Sequence, residues 1–164
     1  MWFARFTAGP ALGWARAQGA AQYMAEDGRE GCAYLQQQPA LPVPAGVALV
    51  HLQLLQEAAG ASAGAPADWH YVVATDVMPD QEADFNLWYQ TEHLPGLAAV
   101  PGTARAARYR VSEGVGPRYH AGYDLTDRST LNSPPWLEVR ATPWSARVRP
   151  AFLNTRRTMY RRVP

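Results

Sequence analysis

The chain contains no lysine: all fifteen basic residues are arginine, and the formal net charge is +1. Without lysine, Schiff-base chemistry and a lysine nucleophile are excluded. The charge also lacks the basic surplus of a nucleic-acid-binding protein, so we predict no nucleic-acid partner. The densest basic cluster is interpreted as a solvated strand edge. It consists of Arg156, Arg157, Arg161 and Arg162.

Cysteine is nearly absent, since Cys32 is the only one. A single thiol cannot form an internal disulfide, which favours a reducing cytoplasm, and we expect Cys32 to be a buried small hydrophobe. No apolar run approaches the roughly 20 residues that span a bilayer. The N-terminus is broken by Arg5, Pro10, Gly13 and Arg16 and does not read as a signal peptide. The sequence therefore predicts a cytoplasmic protein with no membrane partner.

Several catalytic motifs are also missing. The chain has no glycine-rich phosphate loop and no GxSxG nucleophile elbow. The histidines His51, His70 and His120 show neither HxH nor HExxH spacing, so we predict no metal site. No cofactor is predicted, although haem stays open because an axial histidine requires no motif.

A segment of small residues divides the chain into two parts. Residues 58–67, AAGASAGAPA, are small, uncharged and without periodicity, which is typical of a flexible linker. We therefore predict a β-rich half over residues 1–57, the linker, and a main domain over residues 68–164.

The main domain shows a clear order of elements. Strands are predicted over residues 70–78, 103–111, 118–125 and 152–163, from β-branched or alternating patterns. One helix begins at Asp80 as N-cap and ends at His93, because Pro95 disfavours helical geometry at Leu94. A second short helix lies within residues 127–138, and residues 142–144 form a surface excursion. This order predicts an α+β, ferredoxin-like antiparallel sheet with helices on one face.

An internal sequence repeat suggests a degenerate N-terminal copy of this fold. A shift of 89 residues aligns residues 13–17 with 102–106, and also Arg29 with Arg118 and Tyr34 with Tyr123. In that register the first copy lacks its first strand and most of its first helix. Its second helix is replaced by the proline-rich residues 39–44, and residues 47–55 supply a closing strand.

One run of residues carries a family resemblance. It comprises Phe85, Trp88-Tyr89, Glu92-His93-Leu94-Pro95, Pro101-Gly102, Arg105 and Arg108-Tyr109. This pattern resembles the EthD-like branch of the dimeric α/β-barrel superfamily, over about residues 69–163. The resemblance implies two ferredoxin-like sheets packed face to face, from two chains or two fused copies. Such relatives include cofactor-free cyclases, decarboxylases and isomerases, quinone-forming monooxygenases and haem enzymes. A truncated first copy would leave sheet edges to cover, so we expect a homodimer.

These residues also define a candidate site. His93 is the predicted acid or base, with Tyr89 beside it, although a ligand contact or a helix cap would also explain His93. Glu92 could orient His93 or bind an arginine, and pairing with Arg105 or Arg108 is the expected use. The predicted binding residues are Trp88, Arg108, Tyr109, Tyr71 and Glu92.

Two functions follow as hypotheses. In the first, the protein binds a small apolar or aromatic molecule, phenol-like or polyketide-like, and transfers a proton on it without a cofactor. In the second, the protein is a non-catalytic ligand-binding or assembly module, in which the same residues only build the barrel.

Overall fold

The computed structural model describes residues 1–7, 10–39 and 42–163. In the N-terminal half, short apolar runs alternate between two faces and form strands, with one helix among them. The elements are β1 Trp2–Thr7, α1 Pro10–Ala17, β2 Gln22–Ala25, β3 Glu30–Leu35 and β4 Val47–Ala59. The described residues between β3 and β4 contain no helix.

The second half has longer strands and more helices. Its strands are β5 Trp69–Val77, β6 Thr103–Gly114, β7 Tyr119–Leu125 and β8 Phe152–Arg162. The helices are α2 Glu82–Trp88, α3 Leu94–Ala98, α4 Pro134–Arg140 and α5 Pro143–Val148. A π-helical turn, Tyr89–His93, joins α2 to α3. No helix in the described residues is long and apolar enough to cross a membrane.

The eight strands close into one antiparallel barrel within a single chain. The first half has the strand order β4-β1-β3-β2 and the second has β8-β5-β7-β6, which is the ferredoxin-like order in both cases. Pairing of β2 with β8 and of β4 with β6 joins the halves. The predicted fold class is confirmed.

Strand alternation sorts the side chains onto two faces. On the outer face of the second half, a large aromatic core packs between the sheet and helices α2 to α5. A smaller core lies under α1, and a third core fills the middle of the barrel. Cys32 belongs to this interior core and is fully buried, as predicted.

The aromatic helix differs from the prediction at both ends. It does not stop at His93, because the chain widens into the π turn and continues through Pro95 to Ala98. In that turn the Leu94 N–H bonds the Tyr89 carbonyl five residues earlier. The wider turn accommodates a proline that has no N–H to donate. Asp80 is not an N-cap either, since its carboxylate accepts only a 3.3 Å bond from the Gln81 side chain.

The predicted surface excursion at residues 142–144 is also wrong. Thr142 is the N-cap of α5, and its Oγ1 accepts a hydrogen bond from the Ser145 N–H at 3.0 Å. Pro143 then occupies the first helical turn, where its missing N–H costs nothing.

The 89-residue register is wrong as well. Residues 13–17 lie in α1 whereas residues 102–106 enter β6, and β1 shows that the first strand is present. Tyr34 points into the barrel, whereas Tyr123 points to the helices. Equivalent positions in related strands must share a face, so this alignment cannot be a structural one. A degenerate copy in another register stays a prediction.

Closure of the barrel also covers the sheet edges that a truncated first copy would have left open. β8, with its four arginines, pairs with both β2 and β5, so it is not the strand edge that the sequence suggested. The described barrel leaves no strand unpaired on either side. Edge protection is therefore no reason for a homodimer, and the homodimer stays a prediction.

Candidate functional site

The structure brings six of the seven predicted site residues together on the outer face of the sheet, and four of them line one small cavity. The His93 ring stacks on Trp88 at 4.0 Å between centroids, and Tyr89 meets it edge-on at 5.0 Å. Tyr71 lines the same small cavity. That cavity has a volume of about 30 Å³, which is room for about one water molecule.

Burial dominates the electrostatics of this cluster. It lowers the pKa of His93 to about 3, and the charges of Arg140, Arg149 and Arg108 act in the same direction. The imidazole is therefore neutral at pH 7. Its Nδ1 has no hydrogen-bond partner among the described residues, and neither do Tyr123 Oη and Trp136 Nε1 beside the same cavity. A haem at His93 does not fit, because known pockets for drug-sized ligands measure about 300 Å³ or more.

Glu92 and Arg108 both bond side chains on the helix side of the sheet and do not pair with each other. Glu92 accepts hydrogen bonds from Trp88 Nε1 at 3.0 Å and from Thr142 Oγ1 at 2.6 Å. The predicted pairing of Glu92 with Arg105 or Arg108 is therefore wrong, because the π turn aims the carboxylate at α5 and away from the strand. Arg108 donates to Asn86 Oδ1 at 2.6 Å. Its guanidinium also lies 4.4 Å from the centroid of the Tyr89 ring.

Tyr109 faces the opposite way, into the barrel. It borders an open cavity of about 380 Å³ at one end of the interior, which we call the His70 cavity. The polar side chains around it are those of Tyr23, Tyr34, Gln36, His70, Arg105, Tyr109 and Asp124.

A hydrogen-bonded relay borders this cavity. Tyr34 Oη lies 2.9 Å from His70 Nε2, and His70 Nδ1 lies 2.7 Å from Asp124 Oδ1. An ionised carboxylate can only accept, so Nδ1 carries a proton. In the neutral imidazole, Nε2 then accepts from the Tyr34 hydroxyl. The arrangement is a proton donor, a base and a group that orients the base.

The surroundings hold the two outer members of the relay in these states. Burial alone would raise the pKa of Asp124, but the hydrogen bond from His70 and the charge of Arg105 outweigh it and lower that pKa. Burial raises the pKa of Tyr34 well above its usual value, and nearby Cys32 adds to this effect. Tyr34 therefore stays a phenol while Asp124 stays a carboxylate.

Sequence reasoning missed this relay because its members are far apart along the chain. The β5–β7 register places His70 directly opposite Asp124. Gly122 keeps the space beside them clear, since a Cβ there would stand 3.0 Å from His70 Cε1 and 3.4 Å from Tyr34 Oη. The available signal was the inward alternation of His120, Gly122 and Asp124 along β7.

Metal ligation finds no support in the residues that the structure describes. Among them, no group of three or more histidine, cysteine, aspartate or glutamate side chains could hold a metal ion.

Comparison with known proteins shows the fold. No protein-family model and no curated protein matches the chain. An anthrone oxidase-like protein is 14% identical with a TM-score of 0.67, and the match covers 99% of this chain and 90% of that one.

Two proteins from Listeria monocytogenes are also similar. One is a ferredoxin fold protein related to antibiotic biosynthesis monooxygenases, at 12% identity and a TM-score of 0.63, covering 100% of this chain and 95% of that one. The other is a heme-degrading enzyme, at 8% identity and a TM-score of 0.62, covering 98% and 99%. These likenesses show the ferredoxin-like fold of the chain, whereas the dimeric α/β-barrel superfamily and its EthD-like branch stay a prediction.

Proposed function

We propose that the protein binds a small apolar or aromatic molecule, phenol-like or polyketide-like, in the His70 cavity and transfers a proton on it without a cofactor. The observation that carries this proposal is the Tyr34–His70–Asp124 relay, which borders an open cavity of about 380 Å³. That volume lies within the range of roughly 300 to 1,000 Å³ in which proteins hold small molecules.

The relay supplies a balanced route for a proton. An acidic C–H or O–H of the ligand gives its proton to Tyr34 Oη as the Tyr34 proton moves to His70 Nε2. The electron pair of the broken bond stays on the ligand as an enolate or phenolate, and Asp124 balances the imidazolium that forms. Because burial disfavours a free Tyr34 phenolate, the two transfers occur together. Return of the proton to another ligand atom completes an isomerisation or tautomerisation.

Arg105 and Tyr109 complete the site at its mouth. Arg105 Nη2 donates to Tyr109 Oη at 3.1 Å, and its Nε donates to Glu57 at 2.6 Å. A guanidinium beside the cavity stabilises negative charge that develops on a ligand oxygen during proton removal. Tyr109 thus keeps the binding role that the sequence predicted, alongside Arg105 and Tyr23.

The proposal is tested by hydrogen–deuterium exchange. Acetophenone, an aryl ketone with acidic methyl hydrogens, is incubated with the protein in D₂O, and NMR follows the loss of its methyl signal. We expect His70→Gln to reduce the protein-dependent exchange rate by roughly 100-fold or more, the usual share of a positioned base. His51→Gln is the matched control, because His51 bonds Ser112 outside the relay.

Other outcomes decide between the hypotheses. If acetophenone binds the wild-type protein without exchanging, the non-catalytic binding module is the better description. If exchange survives in His70→Gln and disappears in His93→Gln, the acid–base role belongs to the helix-face cluster that the sequence predicted.

A further inference from the structure

A second cavity opens at the opposite end of the barrel. It has a volume of about 300 Å³, and we call it the His120 cavity. Its apolar wall is formed by Phe3, Ala48, Val50, Val72 and Ala74. Cys32 and Leu52 belong to the interior core, and neither of them lines this cavity or the His70 cavity. The two cavities have no lining residue in common.

His120 is the buried polar group of this cavity. Its residue is 6% exposed, and neither ring nitrogen has a hydrogen-bond partner within the described residues. Burial, helped by the charge of Arg5, lowers the pKa of His120 to about 4, so the imidazole is neutral at pH 7. A neutral ring offers one donor and one acceptor, and a buried donor or acceptor without a partner is unfavourable.

The charged groups at the rim already have partners. Glu30 pairs with both Arg5 and Arg156, and it also accepts hydrogen bonds from Tyr160 Oη at 3.0 Å and Thr158 Oγ1 at 3.3 Å. Asp76 accepts from the Arg118 N–H and from the Asn154 side chain. Arg5 and Arg156, which line the cavity, thus share the carboxylate of Glu30, and the buried His120 ring is the lining group whose polar atoms have no partner among the described residues.

We propose that the His120 cavity is a second binding site, which takes an uncharged single-ring phenol. The aromatic ring packs against Phe3 and the aliphatic wall, and the hydroxyl bonds a ring nitrogen of His120. Phe3 already meets the His120 ring edge-on at 5.2 Å, which fixes the imidazole plane beside the wall. This site shares no lining residue with the His70 cavity and stands independently of the function proposed there.

The test compares phenol with toluene, two rings of nearly the same shape of which only one carries a hydroxyl. Binding of each to the full chain is followed by NMR of the alanine methyl groups. We expect both probes to shift Ala48 and Ala74, and His120→Phe to weaken phenol binding there about 5- to 10-fold while toluene keeps or gains affinity. His51→Phe and His70→Phe are controls that should leave phenol binding at Ala74 unchanged.

Two results would overturn this inference. One is an equal loss of phenol and toluene in His120→Phe. The other is a phenol response confined to Ala107, which lines the His70 cavity. If His120→Phe does not fold, Ala74→Leu provides the second variant. The larger side chain fills the cavity, so neither probe should shift the Ala48 methyl signal in this variant. Continued binding of the probes there would count against the site.

Discussion

Replacing Asp124 by asparagine removes one charge from the relay while preserving its shape. The amide oxygen of asparagine still accepts from His70 Nδ1, but the anion that His70 and Arg105 face is gone. Hydrogen bonds to charged groups stabilise by about 1.5 to 3 kcal/mol and neutral ones by about 0.5 to 1.5. The difference predicts that the free energy of unfolding at pH 7 falls by about 1 to 2 kcal/mol.

The pH dependence of this loss is fixed by the lowered pKa of Asp124 in the folded protein. A depressed carboxyl pKa stabilises the fold above the unfolded value of about 3.9, and this stability disappears as the pH falls through the folded pKa. The unfolding free energies of wild type and Asp124→Asn should therefore converge in strong acid.

Urea denaturation at pH 7 and at successively lower pH measures this convergence. Asp80→Asn is the matched control, because the Asp80 carboxylate accepts only one weak bond, from a neighbouring side chain. We expect that control to stay within about 0.5 kcal/mol of wild type. An Asp124→Asn protein as stable as wild type at pH 7, or a gap unchanged at the lowest pH, would refute the electrostatic account of the relay.

Two further predictions concern the helix face. Phe85 is 0% exposed and packs against Tyr89 and Phe152. Phe85→Ala should therefore lower the unfolding free energy by about 3 to 5 kcal/mol in urea melts. Leu87 lies at a half-exposed position of the same helix, so Leu87→Ala should lower the unfolding free energy by less than about 1 kcal/mol. NMR titration should show no protonation of His93 between pH 8 and 5, because burial holds its pKa near 3, and a midpoint near 6.5 would contradict that burial.

The second half of the chain was predictable because its signals are local. The strand predicted over residues 70–78 runs from Trp69 to Val77, and the last strand was placed to within one residue at its C-terminus. β-branched runs bounded by Pro79 and by Gly102 carry this information without reference to the rest of the fold. The π turn was not predictable, because Pro95 looks like a helix end until the surrounding core holds the helix together.

The first half was harder, because its elements are short. Helix α1 has only eight residues and includes Gly13, so its helical signal is weak. The apparent repeat then drew residues 13–17 into a strand. Single identities in an alanine-rich segment cannot fix a register, whereas the face on which a side chain lies can.

The same consideration explains why the relay escaped sequence reasoning. In β7, Tyr119, Ala121 and Tyr123 face the helices, whereas His120, Gly122 and Asp124 face the barrel interior. The aromatic residues were predicted to line a binding pocket. On the outer face they instead pack against helices and leave a cavity of only about 30 Å³. Once the sheet closes, the inward set is the one that borders cavities at both ends. His120 and Asp124, four residues apart on one face of a strand, thus serve opposite ends of the barrel.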